Sequence, residues 1–183
     1  MLPQRKRYTY DEFLEITKDI DRAEFIDGEI IMQATPTAQH QSIVLNIASE
    51  FRSFFLGKSC KPFIAPFDII LQDGTEEIKR VQPDISIICE HNLINENQFK
   101  GVPSLIVEVV SPSNASDDYV KKLNLYMKFG VEEYWIVSPK NRTVQIFNLE
   151  NGVYGEPKIY FEKDIVKSSI FEDLSIGLKS IFE

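Results

Sequence analysis

Leu105-Ile106-Val107-Glu108-Val109-Val110 precedes a stretch that reads as a helix over 116–129, closed by Gly130, and Tyr134-Trp135-Ile136-Val137 follows. The first run is aliphatic at every position but one, the pattern of a strand covered on both faces. Strand, helix and strand in that order form a crossover unit, which makes the two strands parallel and the connection right-handed. The fold class that follows is α/β, a mixed β-sheet with flanking helices.

Upstream of this unit, Pro83-Asp84 opens a strand over 85–89, and 63–71 reads as one apolar strand. Asp73-Gly74 begins a polar loop to Arg80, and 91–103 reads as a long connection. Ile43, Ile47, Phe51 and Phe54 recur at helical spacing inside 36–56, with Gly57 as the stop. Asp27-Gly28 between 23–26 and 29–32 is a strong hairpin signal. Thr9 and Glu12 fit a capping box for a short helix to about residue 17. Downstream, 142–149 forms a hairpin with the stretch after Asn151-Gly152, and the remainder is short strand and turn. No repeat or Pro/Gly-rich linker divides the chain, so a single domain over 1–183 is expected.

With 43% hydrophobic residues the chain is too apolar for disorder. No apolar run approaches the ~20 residues that span a bilayer, and residues 1–10 lack the apolar stretch of a secretory signal. Cys60 and Cys89 offer neither a disulfide framework nor a zinc set. They read as two buried thiols in a reducing compartment, which points to the cytoplasm. The net charge of −8 argues against bulk electrostatic coating of nucleic acid, though not against a local basic groove. An acidic protein that handles phosphate esters does so most easily with divalent cations.

Glu108 is the most informative residue. Alternation puts it on one strand face with Ile106 and Val110, while Leu105, Val107 and Val109 point the other way. Burying a lone carboxylate costs several kcal/mol, roughly, unless it is paired or binds a metal. Asp84, 24 residues upstream, reads alone as a turn residue and, together with Glu108, as the second donor of a hard-cation site. Mg²⁺ or Mn²⁺ suits two carboxylates completed by a backbone carbonyl and waters, and zinc does not. Lys122, on the helix leaving the Glu108 strand, reads either as a solvated lysine or as a cation beside the acids; Lys121 is its rival for either role. Asp118, one turn before Lys122, would either hold that ammonium or serve the helix dipole. Glu24 is read as an exposed hairpin carboxylate or as a group reaching the site. His40 is a helix-start hydrogen-bonding residue or a phosphate contact and proton carrier. His91 reads as a loop residue, and Tyr134 and Trp135 as core. Motifs of P-loops, dinucleotide folds and serine hydrolases are absent.

Val81-Gln82-Pro83-Asp84-Ile85, the 105–113 segment ending Ser111-Pro112-Ser113, Asp118 through Lys122-Leu123 to Tyr126, and Gly130-Val131-Glu132-Glu133-Tyr134-Trp135-Ile136-Val137 together resemble the Uma-type family of restriction-endonuclease-like proteins. So do Glu24-Phe25-Ile26-Asp27-Gly28-Glu29-Ile30 and 36–41 with His40. That family sits in the P-D…(D/E)-X-K nuclease superfamily. The resemblance implies an α-β-β-β-α-β core, here with an N-terminal hairpin and C-terminal strands, and metal-dependent hydrolysis of phosphodiester bonds in DNA. It makes Asp84 the motif aspartate and Glu108 the acid of the (D/E)-X-K element. Asp84, Glu108 and the Val109 carbonyl would then hold Mg²⁺ or Mn²⁺. Val110 stands where the superfamily's lysine belongs, and Lys122 takes over that role. A homodimer is implied by analogy. Two alternatives stay open: an inactive nucleic-acid- or protein-binding module on the same fold, and a hydrolase of smaller phosphate esters.

Overall fold

The computed structural model describes residues 6–72, 74, 77–110 and 117–183, without the side chains of Asn92, Asp117 and Asp118. Helix α1 (Tyr10–Ile16) begins at the expected capping box: Glu12 N–H donates to Thr9 Oγ1 at 3.2 Å and Thr9 N–H to Glu12 Oε2 at 2.8 Å. Strands β1 (Ala23–Ile26) and β2 (Glu29–Met32) form the hairpin, with Asp27 and Gly28 at positive φ as such a turn requires. Helix α2 (Ala38–Phe54) is capped by Thr37, whose Oγ1 accepts the His40 N–H at 3.2 Å.

The expected single strand over 63–71 is instead two, β3 (Lys61–Ile64) and β4 (Asp68–Gln72), which belong to different sheets. Pro66 lies between them and has no N–H to give a ladder. The polar loop expected to reach Arg80 is shorter, because β5 (Ile78–Val81) replaces its end. Its charges conceal it in the sequence: Lys79 pairs with Asp27 at 2.7 Å and Arg80 with Asp68 at 2.8 Å. Then come β6 (Ile85–Ile88) and, inside the expected long connection, β7 (Gln98–Lys100), anchored by buried Phe99. Strand β8 (Leu105–Val109), helix α3 (Asp117–Phe129) and strand β9 (Glu133–Ser138) form the crossover unit, with β8 and β9 parallel as expected. The expected Ser116 cap and Asp73 turn residue lie outside the described residues. The chain ends in β10 (Thr143–Glu150), β11 (Val153–Tyr154), β12 (Lys158–Phe161), β13 (Ile165–Lys167), β14 (Ser175–Gly177) and α4 (Leu178–Phe182).

The described residues form three sheets. The five-stranded sheet runs β2-β1-β5-β4-β7; the seven-stranded one runs β11-β10-β9-β8-β6-β3, with β12 added to β10; β13 and β14 pair alone. In the larger sheet, α2, β3, β6, β8, α3 and β9 reproduce the α-β-β-β-α-β order. The two faces of β8 divide as alternation predicts. Leu105, Val107 and Val109 join Ile43, Ile47 and Phe51 of α2, whereas Ile106 and Val110 join Leu125 and Tyr126 of α3 and the smaller sheet.

The cysteines correct the expectation of free thiols. Cys60 and Cys89 form a disulfide. Lys61 opposes Ile88 in the β3–β6 ladder, and one further step of that register sets the two cysteines across from each other. A spacing of 29 residues carries no trace of this. The argument from reduced thiols to the cytoplasm loses its premise. Among the described residues no helix is long and apolar enough to cross a membrane.

Candidate active site

Antiparallel pairing of β6 with β8 ends at Ile85 against Val107, and Asp84 and Glu108 are the next residues beyond that pair. Asp84 is tied there by its own neighbour strand: Val109 N–H donates to its Oδ2 at 2.8 Å. The same oxygen accepts from Nε2 of His40 at 3.1 Å, reaching over from the first turn of α2. Nδ1 of His40 is buried with no partner among the described residues.

Glu108 is held from α3. Lys122 and Tyr126 stand four apart, so both project toward β8 from one side of the helix. Lys122 Nζ donates to Glu108 Oε1 at 3.0 Å, and the Tyr126 hydroxyl donates to the same oxygen at 2.9 Å. Lys122 also donates to Oε1 of Glu24 at 3.1 Å. That reading separates the two lysines, since Lys121 turns outward to Glu29 at 2.7 Å. The Asp118 side chain lies outside the described residues.

Glu24 corrects the exposed reading: it is 1% exposed, and its Oε1 accepts the Gln82 N–H at 2.9 Å in addition to Lys122. Strand β1 is flanked by β5 as well as β2, so what reads as a hairpin edge is an interior strand. All five proposed site residues, Glu24, His40, Asp84, Glu108 and Lys122, line one cavity of about 410 Å³. Val109 lines it too. His91 is elsewhere, bonded to the Ser59 carbonyl, and Tyr134 and Trp135 are buried as core residues.

Charge is tightly constrained here. Burial pushes the Glu108 carboxyl up to about 8, against the pull of Lys122, and the nearby charges of Asp84 and Glu24 add to the rise. The Asp84 hydrogen bond raises His40, with burial opposing it. Burial, followed by Glu108 and Glu24, raises the Tyr126 phenol well above its usual value. The carboxylates thus outnumber what Lys122 alone compensates.

The donor set fits a hard divalent cation. Among the described residues, the hydrogen bonds to Asp84 go to Oδ2 and those to Glu108 go to Oε1, leaving one oxygen of each acid unbonded. No group of three or more His, Cys, Asp and Glu residues suited to a metal occurs among the described residues. Two carboxylates with waters is how Mg²⁺ is commonly held, whereas zinc sites need more nitrogen or sulfur. Sequence reasoning missed Tyr126 and Gln82. Tyr126 had a usable signal, its place one turn beyond Lys122; Gln82 depends on β5, which the sequence conceals.

The sequence signature of the Uma2 family, described as "Putative restriction endonuclease", matches residues 10–179. Two Synechocystis relatives, "Uncharacterized protein slr1290" and "Uncharacterized protein sll1609", are 26% identical over 129 residues and 28% over 120. These matches cover 70% and 64% of this chain and 66% of each relative's length. A crystal structure described as a putative nuclease from Anabaena variabilis superposes with a TM-score of 0.78 at 22% identity, over 94% of this chain and 96% of that one. That similarity establishes a shared fold. With the signature covering nearly its whole length, the chain belongs to the Uma2 family of restriction-endonuclease-like proteins.

Proposed function

We propose that the chain hydrolyses phosphodiester bonds in DNA with Mg²⁺ or Mn²⁺. The observation that carries this reading is the pair of desolvated acids, Asp84 and Glu108, each with one oxygen unbonded among the described residues and both lining one cavity. Asp84, Glu108 and the carbonyl of Val109 would hold the cation. When bound, it supplies Lewis-acid polarisation of the scissile phosphate and lowers the pKa of a water.

The chain's own residues do the rest. Val109 N–H and Lys122 fix the two acids so that little reorganisation is needed when charge develops. Lys122 places its ammonium where it stabilises negative charge on phosphate oxygens, and Glu24 anchors that lysine from the opposite side. Tyr126 keeps Glu108 in one orientation. His40, sharing its Nε2 proton with Asp84, stands ready to pass a proton at the edge of the cavity. Cutting both strands of a duplex favours two such sites related by a two-fold axis, as in a homodimer.

The second reading, a binding module without turnover, draws support from Val110 at the usual lysine position. Labelled single-stranded, duplex and branched DNA, incubated with Mg²⁺ or Mn²⁺, separates the two. Cleavage by the wild type, reduced to background in Asp84→Asn and Glu108→Gln, is the expected result. Lys122→Ala should lose about 10²–10³-fold in rate while still binding the cation. Cleavage retained in both acid variants contradicts the assignment.

A further inference from the structure

Two cations of the cavity take no part in the roles above, exposed Lys140 and partly buried Arg22. Arg22, the residue before β1, lines the same cavity as Asp84 and Glu108. Its Nη2 donates to Oε1 of Gln33 at 3.1 Å, and Gln33 N–H returns a bond to the Arg22 carbonyl at 3.1 Å. This clasp at the open end of the hairpin holds the guanidinium to a neutral amide. Nε of Arg22 is buried without an acceptor among the described residues. Elsewhere in the fold Arg80 pairs with Asp68, Arg142 with Glu162 and Lys79 with Asp27. Arg22 makes no ion pair with any described carboxylate.

Burying a guanidinium N–H without an acceptor is costly. The cost is relieved when an anion arrives, and a planar fork of donors matches phosphate oxygens well. Three acids repel a polyanion, and a substrate phosphate needs a fixed positive group nearby that those acids have not already neutralised.

We infer that Arg22, oriented by Gln33, is a phosphate subsite that grips the backbone of a nucleic-acid strand beside the acidic pair. The inference rests on the nucleic-acid reading above, and its test separates the two. Fluorescence anisotropy of a labelled single-stranded oligonucleotide, in Ca²⁺ so that cleavage does not intervene, reads binding directly. Arg22→Gln should weaken binding by at least about tenfold and make the slope of log K against log salt shallower by about 0.7. Arg22→Lys, which keeps the charge but not the fork, should restore the wild-type salt slope and recover only part of the affinity. Gln33→Ala, which frees the fork while leaving its charge, should weaken binding severalfold, and it serves if Arg22→Gln does not fold. Wild-type affinity and salt slope in Arg22→Gln overturn the subsite while leaving cleavage by Asp84 and Glu108 unaffected. Arg22-dependent binding by a protein that cleaves nothing supports the subsite and overturns the hydrolase. A wild type that binds no strand overturns both.

Discussion

Tyr126 and Lys122 converge on one oxygen of Glu108, and this arrangement decides how the acid endures burial. Tyr126→Phe removes one donor and keeps the ring, so unfolding in urea should show a loss of about 1 kcal/mol with an unchanged m-value. Lys122→Met leaves Glu24 and Glu108 facing each other without their shared cation, and the same measurement should give a loss of about 3–5 kcal/mol. A neutral result for Lys122→Met would mean that the acids are compensated some other way. Glu108 was legible in the sequence because a single acid breaks an otherwise aliphatic alternation. Glu24 was not, since its burial comes from β5, and the charges of Lys79 and Arg80 make that strand look like loop. Arg22 was invisible for a related reason: its partner, Gln33, lies across a hairpin, and nothing in either residue alone announces a cavity wall.

At the scale of elements, the crossover of β8, α3 and β9 was readable nearly to the residue, because local patterning and tertiary environment agree there. The hairpin and the long helix α2 were readable for the same reason. Short strands such as β7 carry too few residues to show a period, and β3 and β4 merged into one apolar run until Pro66 divided them. Gly130 closes α3 at φ +85° with open space around its Cβ position. Gly130→Ala should therefore cost about 1 kcal/mol from backbone conformation alone, with no packing clash, as read by thermal unfolding. A larger loss would show that the α3 terminus positions Lys122 more tightly than its hydrogen bonds suggest.

Over the whole molecule, the disulfide and the buried phenols set the conditions under which the fold persists. Cys60–Cys89 ties β3 to β6, the strand that begins immediately after Asp84. Reduction, or Cys60→Ser with Cys89→Ser, should lower stability by about 2–4 kcal/mol in denaturant unfolding with and without dithiothreitol. Tyr154 donates its hydroxyl to the Val131 carbonyl at 2.8 Å, and burial raises its pKa above the usual value. The folded state therefore holds that proton more tightly than the unfolded chain. Stability from this group is complete below about pH 10 and falls as pH rises beyond it, an effect that Tyr154→Phe should remove from a pH series of melting curves. The most direct measurement on the central claim is a calorimetric titration of the wild type and Glu108→Gln with Mn²⁺. A shared cation site predicts saturable binding by the wild type and at least tenfold weaker binding by the variant; equal binding by both, or none by the wild type, contradicts it.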